Sequence, residues 1–369
     1  MLNHSYLIDS ANALRIPVTE RDPLSIMCRF MSGFFSRDRF NILNKYSPLR
    51  IINTADPLPK PFESTVSLSD IMDETAQNII QKLNGGKIIV CWSGGVDSTA
   101  VVVSFLRNLP INGQKQLIVL GNEHSVLENK NFYHLLKNNN VSLILSDTLV
   151  EDLKEEECTA ITSGWCADQL FSSDIHLIDP SFYNKSPIEA IPAIWQKKFP
   201  RSSISKESAE ILFSIYKDYG KHLGLEIEQF CEMAWLHNFG VKWTFISNFM
   251  DFKLFQSPNE NKAVPFFTNL NFQRWSISNF ENIRKKNVFY EPGYYKRALK
   301  QYIYDFDNDG NYYSMKGKKN SWATIMEEPG IRVKTDQGIK LFDAVNKKGE
   351  RCPYCYGELA KQVFNSFRK

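Results

Sequence analysis

Ile88-Ile89-Val90-Cys91-Trp92-Ser93-Gly94-Gly95-Val96-Asp97-Ser98, with the apolar run Ala100 to Leu106 behind it, is the stretch that decides the fold. Apolar run, glycine pair, apolar run reads as strand, turn and helix. Two adjacent glycines let the backbone curl so that successive N–H groups point into one concavity. The helix start adds its own unpaired N–H groups and the positive end of its dipole. That combination suits phosphate. Ser93 and Ser98 supply hydroxyl donors, and Asp97 supplies a carboxylate suited to Mg²⁺ beside the phosphates. No Lys follows the glycines as in G-x-x-x-x-G-K-[ST], and one Gly-Gly pair is not a dinucleotide fingerprint. The bland alternative is a glycine turn that only joins strand to helix.

Outward from this stretch the pattern stays regular. Ser69 is placed to cap a helix whose apolar positions Ile71, Ala76, Ile79, Ile80 and Leu83 recur at helical spacing, ended by Asn84-Gly85-Gly86. Strands are expected at Lys87–Trp92, Gln116–Gly121, Val141–Leu145 and Thr159–Thr162, with helices running to about Asn108 and over Asn131–Lys137. Strands alternating with helices imply an α/β fold with a doubly wound parallel sheet, followed by a mostly helical half. In such sheets ligands bind at the carboxyl ends of the strands, where Ser93 to Ser98 lie. Beyond about residue 175 the chain turns helical and aromatic, with amphipathic stretches at Ser208–Tyr216, Ile227–Asn238, Lys242–Phe252 and Tyr294–Phe306. Residues 1–64, rich in prolines, read as a small N-terminal extension or cap. Residues 65–345 read as the main domain, which carries this loop, and 346–369 as a tail.

Composition narrows the class. The chain has 369 residues, 43% hydrophobic and 23% charged, which is ordinary for a soluble globular enzyme. A net charge of +3 gives no general argument for nucleic acid. No run of about 18 apolar residues predicts a membrane helix, and the first residues lack the pattern of a secretory signal. Seven scattered cysteines do not make a disulfide framework, so reducing cytoplasm is the expected compartment.

A second string, Thr162-Ser163-Gly164-Trp165-Cys166-Ala167-Asp168-Gln169-Leu170-Phe171, also follows a predicted strand. It puts a Ser-Gly turn and a second carboxylate at a strand end. If the two strands are neighbours, Asp97 and Asp168 face one pocket, and two carboxylates flanking a polyphosphate are a sensible Mg²⁺ site. A plain helix cap by Ser163 or Asp168 is the alternative.

The first string resembles the PP-loop, S-G-G-x-D-S, of the ATP pyrophosphatase superfamily. The second resembles the S-G-E-G-A-D-E-L-F segment of asparagine synthetases and β-lactam synthetases. Val264-Pro265-Phe266 is similar to their V-P-F-L-D element, Tyr295-Lys296-Arg297-Ala298-Leu299 to their L-R-E-A helix, and Lys319-Asn320-Ser321-Trp322 to their R-x-K-x-x-F element. The resemblance spans about residues 65 to 330. It implies an AMP-forming ligase that adenylates a carboxylate with ATP and Mg²⁺, releases pyrophosphate and passes the acyl group to ammonia or an amine. It also implies roles. Ser93, Gly94, Gly95, Ser98, Ser163 and Gly164 would hold the polyphosphate, and Asp97 and Asp168 the metal. Backbone near Leu120 and Gly121 would hold adenine, and Lys319 would neutralise charge at the α-phosphate, with Lys316 and Lys318 as rivals.

The departures are informative. The family's Glu is Trp165, its second Gly is Cys166, the acid after Asp is Gln169, and the Asp of V-P-F-L-D is Thr268. An indole in place of the Glu suits a substrate without the usual amine, or weakened chemistry. Leu2 and Asn3 stand where the related glutaminase domains expose a Cys, so ammonia would come from a separate glutaminase, or the amine from an acceptor protein or small molecule. Cys352 and Cys355 form a C-x-x-C, half of a Zn²⁺ site, a redox pair or two unlinked thiols. PP-loop enzymes that make 7-cyano-7-deazaguanine end in such a pair within a four-cysteine zinc cluster. Adenylation of a nucleobase is therefore the second reading, and a nucleotide-binding pseudoenzyme subunit the third.

Overall fold

The computed structural model describes residues 65–145, 159–172, 179–198, 203–243, 263–280 and 296–315, together with Arg39, Leu58 and Ile246. The proposed cap (1–64, apart from Arg39 and Leu58) and the tail (346–369) lie outside the described residues.

Helix α1 (Leu68–Leu83) buries Leu68, Ile71, Met72, Thr75, Ala76 and Ile79, one face at helical spacing. Its cap is Ser67, not Ser69. The Ser67 side chain accepts from the Asp70 N–H at 3.1 Å while donating to the Asp70 carboxylate at 2.7 Å. That reciprocal pairing needs an acid three residues on, which Ser67 has. Asn84 closes the helix in the left-handed conformation, φ 45°, as the Asn-Gly-Gly sequence leads one to expect.

The four expected strands form as β1 (Ile88–Cys91), β2 (Leu117–Gly121), β3 (Ser142–Leu145) and β4 (Ala160–Ser163). All pairings are parallel, in the order β3-β2-β1-β4. β1 sits centrally and is apolar on both faces, as a strand covered on both sides must be. Ile89, Ile118, Leu120 and Ile161 form one apolar cluster on the sheet, joined by Cys91, Ile144, Trp165 and Ala263. Helix α2 (Val96–Asn108) packs against β1 and β4.

The topology locates the site. From β1 the chain passes through α2 to β2, then through α3 (Glu123–Glu128) and α4 (Lys130–Asn138) to β3, moving one way across the sheet. β4 lies on the other side of β1. The chain leaving β4 comes back as a parallel bridge on β4's far side, Ile161 to Ala263, with Val264 N–H donating to Ile161 at 2.8 Å. Connections therefore diverge between β1 and β4. This is the topological switch point, where open α/β sheets place their ligands.

The described chain falls into two compact units. One holds the sheet, α5 (Ala167–Phe171) and, from later sequence, α9 (Leu270–Ser278), α10 (Arg297–Asp307) and α11 (Gly310–Met315). The other is helical: α6 (Pro187–Lys198), α7 (Lys206–His222) and α8 (Phe230–His237) pack on one another. After α8 the chain makes a π-turn over Asn238–Lys242. There Trp235 stacks on Phe239 at 4.9 Å, and the Arg39 guanidinium lies over Phe239 and Trp243 at 5.0 and 4.7 Å. No described helix is long and apolar enough to cross a membrane.

The capping geometry gives a test. Ser67→Ala should lower stability by about 1 kcal/mol, the usual cost of a lost N-cap. Ser69→Ala, inside the first turn, should stay within about 0.5 kcal/mol of wild type in urea denaturation.

Candidate active site

The glycine loop is held from both ends. Trp92 N–H donates to Leu120 at 2.7 Å, and the Trp92 indole donates to Thr99 Oγ1 at 3.0 Å, tying the strand exit to α2. Gly94 has φ 75°, and a Cβ there would sit 2.4 Å from the Ser125 carbonyl oxygen. Only glycine fits. Gly95 then caps α2 in an extended conformation. The two loop serines hold one another: Ser93 N–H donates to Ser98 Oγ at 3.0 Å, the two hydroxyls lie 3.0 Å apart, and Gly95 N–H reaches Ser93 Oγ at 3.3 Å. They shape the loop as well as being placed for phosphate.

The second loop leaves β4 alongside. Ser163 pairs in register with Cys91 and donates its hydroxyl to the Cys91 carbonyl at 3.1 Å. A Cβ on Gly164 would lie 2.5 Å from Asp97 Cβ and 2.7 Å from Ser98 N. The Ser-Gly turn therefore lets the second loop rest on the first. Cys166 adopts φ 67° and is 2% exposed. Left-handed backbone is costly for a side chain other than glycine, so packing around the thiol must hold it there. α5 follows and carries Asp168 in its first turn.

Between the two loops sits a residue that the sequence reading assigned no site role. The Lys296 ammonium is bonded to both Asp97 oxygens and lies 2.6 Å from Asp168 Oδ1. Its side chain is 1% exposed, against 21% for Asp97 and 29% for Asp168. Burial pulls the Lys296 pKa down, but the Asp168 and Asp97 charges outweigh it and hold the amine above the ordinary lysine range. A buried ammonium stripped of partners would cost several kcal/mol. Here it has two.

Helices α10 and α11 bring Lys296 in. Lys296 precedes α10 with φ 48°, Asn308 ends that helix, and Asp309 accepts from Asn311 and Tyr312 N–H groups to start α11. Tyr312 then donates its hydroxyl to the Gly94 carbonyl at 3.1 Å. Burial, with the nearby acids Glu128 and Asp97, pushes the Tyr312 pKa well up, so it stays a donor. One sequence signal for Lys296 existed. Leu299, Tyr302 and Ile303 mark the buried face of α10, and Lys296 and Lys300 fall on that same face at i, i+4 spacing.

The other expected residues divide plainly. Leu120 and Gly121 are buried at the end of β2, with a Gly121 Cβ position 3.2 Å from the Trp92 ring. Trp165 packs on the apolar cluster of the sheet, and Gln169 is buried. Lys316, Lys318, Lys319, Cys352 and Cys355 lie outside the described residues. The structure thus brings together Ser93, Gly94, Gly95, Asp97, Ser98, Ser163, Gly164 and Asp168, with Lys296 and Tyr312 added.

The acidic pair fits a magnesium ion. Asp97 and Asp168 already converge on one cation, the Lys296 ammonium, and both keep some solvent exposure. Mg²⁺ uses one or two carboxylates and fills its remaining positions with phosphate and water. No protein-family model matches the chain, and no curated protein matches it.

Two substitutions test the loop contact. Gly164→Ala should destabilise by about 1–3 kcal/mol, as overpacking does, because Asp97 and Ser98 backbone cannot yield cheaply. Cys166→Gly should unfold at higher denaturant than Cys166→Ala, since both lose the buried sulfur but only alanine keeps the left-handed strain. Equal midpoints for those two would show that φ 67° carries no strain.

Proposed function

We propose that this chain is an ATP-dependent, AMP-forming ligase that adenylates a carboxylate and transfers the acyl group to ammonia or an amine. One observation carries the reading: Asp97 and Asp168, from two loops 71 residues apart in sequence (168 − 97), converge on one cation at the switch point, beside a glycine loop. A doubly wound sheet of PP-loop type, which the order β3-β2-β1-β4 with a further bridge at Ala263 supports, belongs to the same proposal. So does a cytoplasmic setting, on the scatter of seven cysteines.

The chemistry asks mainly for positioning and charge neutralisation. A substrate carboxylate oxygen attacks the α-phosphorus, the bond to the bridging oxygen breaks, and pyrophosphate leaves. The backbone around Gly94 and Gly95, with the start of α2, receives the leaving group. Asp97 and Asp168 would hold Mg²⁺, which neutralises polyphosphate charge when bound. The amine must then arrive as its free base and attack the acyl carbonyl, expelling AMP. Lys319 stays the candidate for charge at the α-phosphate on its resemblance alone.

A nucleotide-binding subunit without turnover is the second reading, favoured by Lys296 lying in the cation position and by Trp165 in place of an acid. ATP–pyrophosphate exchange with Mg²⁺ and a panel of carboxylic acids separates the two. The ligase reading predicts exchange that requires an acid and falls by about 10²-fold or more in Asp97→Ala and Asp168→Asn. ATP binding by calorimetry with no exchange for any acid supports the subunit reading. Exchange stimulated by tRNA or a nucleobase instead of an acid would favour base modification.

A further inference from the structure

We propose that Lys296 is a tethered counter-cation, which occupies the Asp97–Asp168 pair before nucleotide arrives and then yields that position and pairs with phosphate. The inference rests on the reading of this acidic pair as the magnesium site. It adds that the chain itself blocks the site against free metal.

Geometry gives the first part. Lys296 Nζ touches both oxygens of Asp97 and Oδ1 of Asp168. A divalent ion on Asp97 would have to share an oxygen that already holds the ammonium, and one that also takes Asp168 Oδ1 would meet it there too. The two cations compete for the same oxygens.

Electrostatics gives the second. Two carboxylates facing one ammonium leave a net negative pocket, which attracts a metal. Yet free Mg²⁺ would have to take a lysine whose side chain is 1% exposed out of its ion pairs with Asp97 and Asp168. Breaking such a pair one-sidedly is strongly unfavourable. A metal arriving with polyphosphate avoids that cost, because phosphate oxygens replace the carboxylates as partners for the displaced ammonium.

The anchoring supplies the third. Lys296 heads α10, which packs along α2, and α11 is hydrogen-bonded to the glycine loop through Tyr312 and Gly94. The side chain can move, but its backbone stays beside the loop. The ammonium can therefore shift from carboxylate to phosphate without the helix leaving. Metal and nucleotide then bind as one unit, and Lys296 becomes a direct contact of the leaving pyrophosphate.

Titration with Mn²⁺, followed by electron paramagnetic resonance without nucleotide, tests this apart from any turnover. Wild type and Lys296→Arg, which keep the cation, should leave Mn²⁺ essentially unbound at micromolar concentrations. Lys296→Met should bind it at least about ten-fold more tightly, because the acidic pair then no longer holds the lysine cation. Its melting temperature, lowered by the substitution, should recover in Mn²⁺ but not in Na⁺ of equal ionic strength. In the same variant the Mg²⁺ complex of a non-hydrolysable ATP analogue should bind more weakly. Tight Mn²⁺ binding by wild type overturns the proposal even if Lys296→Met does not fold, and so does a folded Lys296→Met with wild-type metal affinity. Tighter metal in Lys296→Met, with no pyrophosphate exchange in wild type, would keep this inference and remove the ligase reading.

Discussion

The ion pairs of Lys296 with Asp97 and Asp168 are the constraint on which the rest of this unit depends. Lys296 and Asp97 are 199 residues apart in sequence, and Asp168 lies on a third segment. A buried ammonium with one carboxylate missing would be a large local penalty. The glycine loop, the β4 exit and the start of α10 must therefore meet at one point. Everything nearby serves that meeting. Gly164 lets two loops touch, Tyr312 fastens α11 to Gly94, and Ser93 and Ser98 lock the loop that carries Asp97.

The sheet explains why the meeting occurs where it does. β1 sends its chain toward β2, while β4 sends its chain toward the bridge at Ala263. The loops leaving these two neighbouring strands lie in contact through Gly164, at the point where the onward connections diverge. Charge gathers there because backbone N–H groups of the glycine loop and the first turn of α2 favour anions. An acidic pair in the same place needs a cation. A lysine and a divalent metal are two ways of supplying it.

Much of this was written locally in the chain. The apolar runs at residues 88–92 and 117–121 declare strands because those two strands are buried on both faces, while the run at 141–145 forms the half-exposed edge strand. The Gly-Gly and Ser-Gly turns declare loops, and the close contacts at Gly94 and Gly164 leave no room for a side chain. Pattern alone placed the α1 cap two residues late, since Ser67 and Ser69 look alike until the reciprocal bond with Asp70 is seen. Helices are also expected over Ile227–Asn238, which forms as α8, and over Lys242–Phe252, most of which lies outside the described residues. The chain continues from α8 through the π-turn over Asn238–Lys242, where the rings of Trp235, Phe239 and Trp243 pack in sequence. Lys296 was the costliest omission. Its meaning lies in partners on distant segments, and only the charged interruption of α10's buried face hinted at it.

The central claim is that Asp97 and Asp168 are the metal-holding half of a polyphosphate site. A crystal structure with Mg²⁺ and a non-hydrolysable ATP analogue tests it most directly. The account predicts a Mg²⁺ about 2.0–2.1 Å from an oxygen of each carboxylate, with the β- and γ-phosphates against Gly94 and Gly95 and Lys296 on a phosphate oxygen. Nucleotide bound elsewhere, or bound here with Lys296 still bridging both carboxylates and no metal between them, would contradict it.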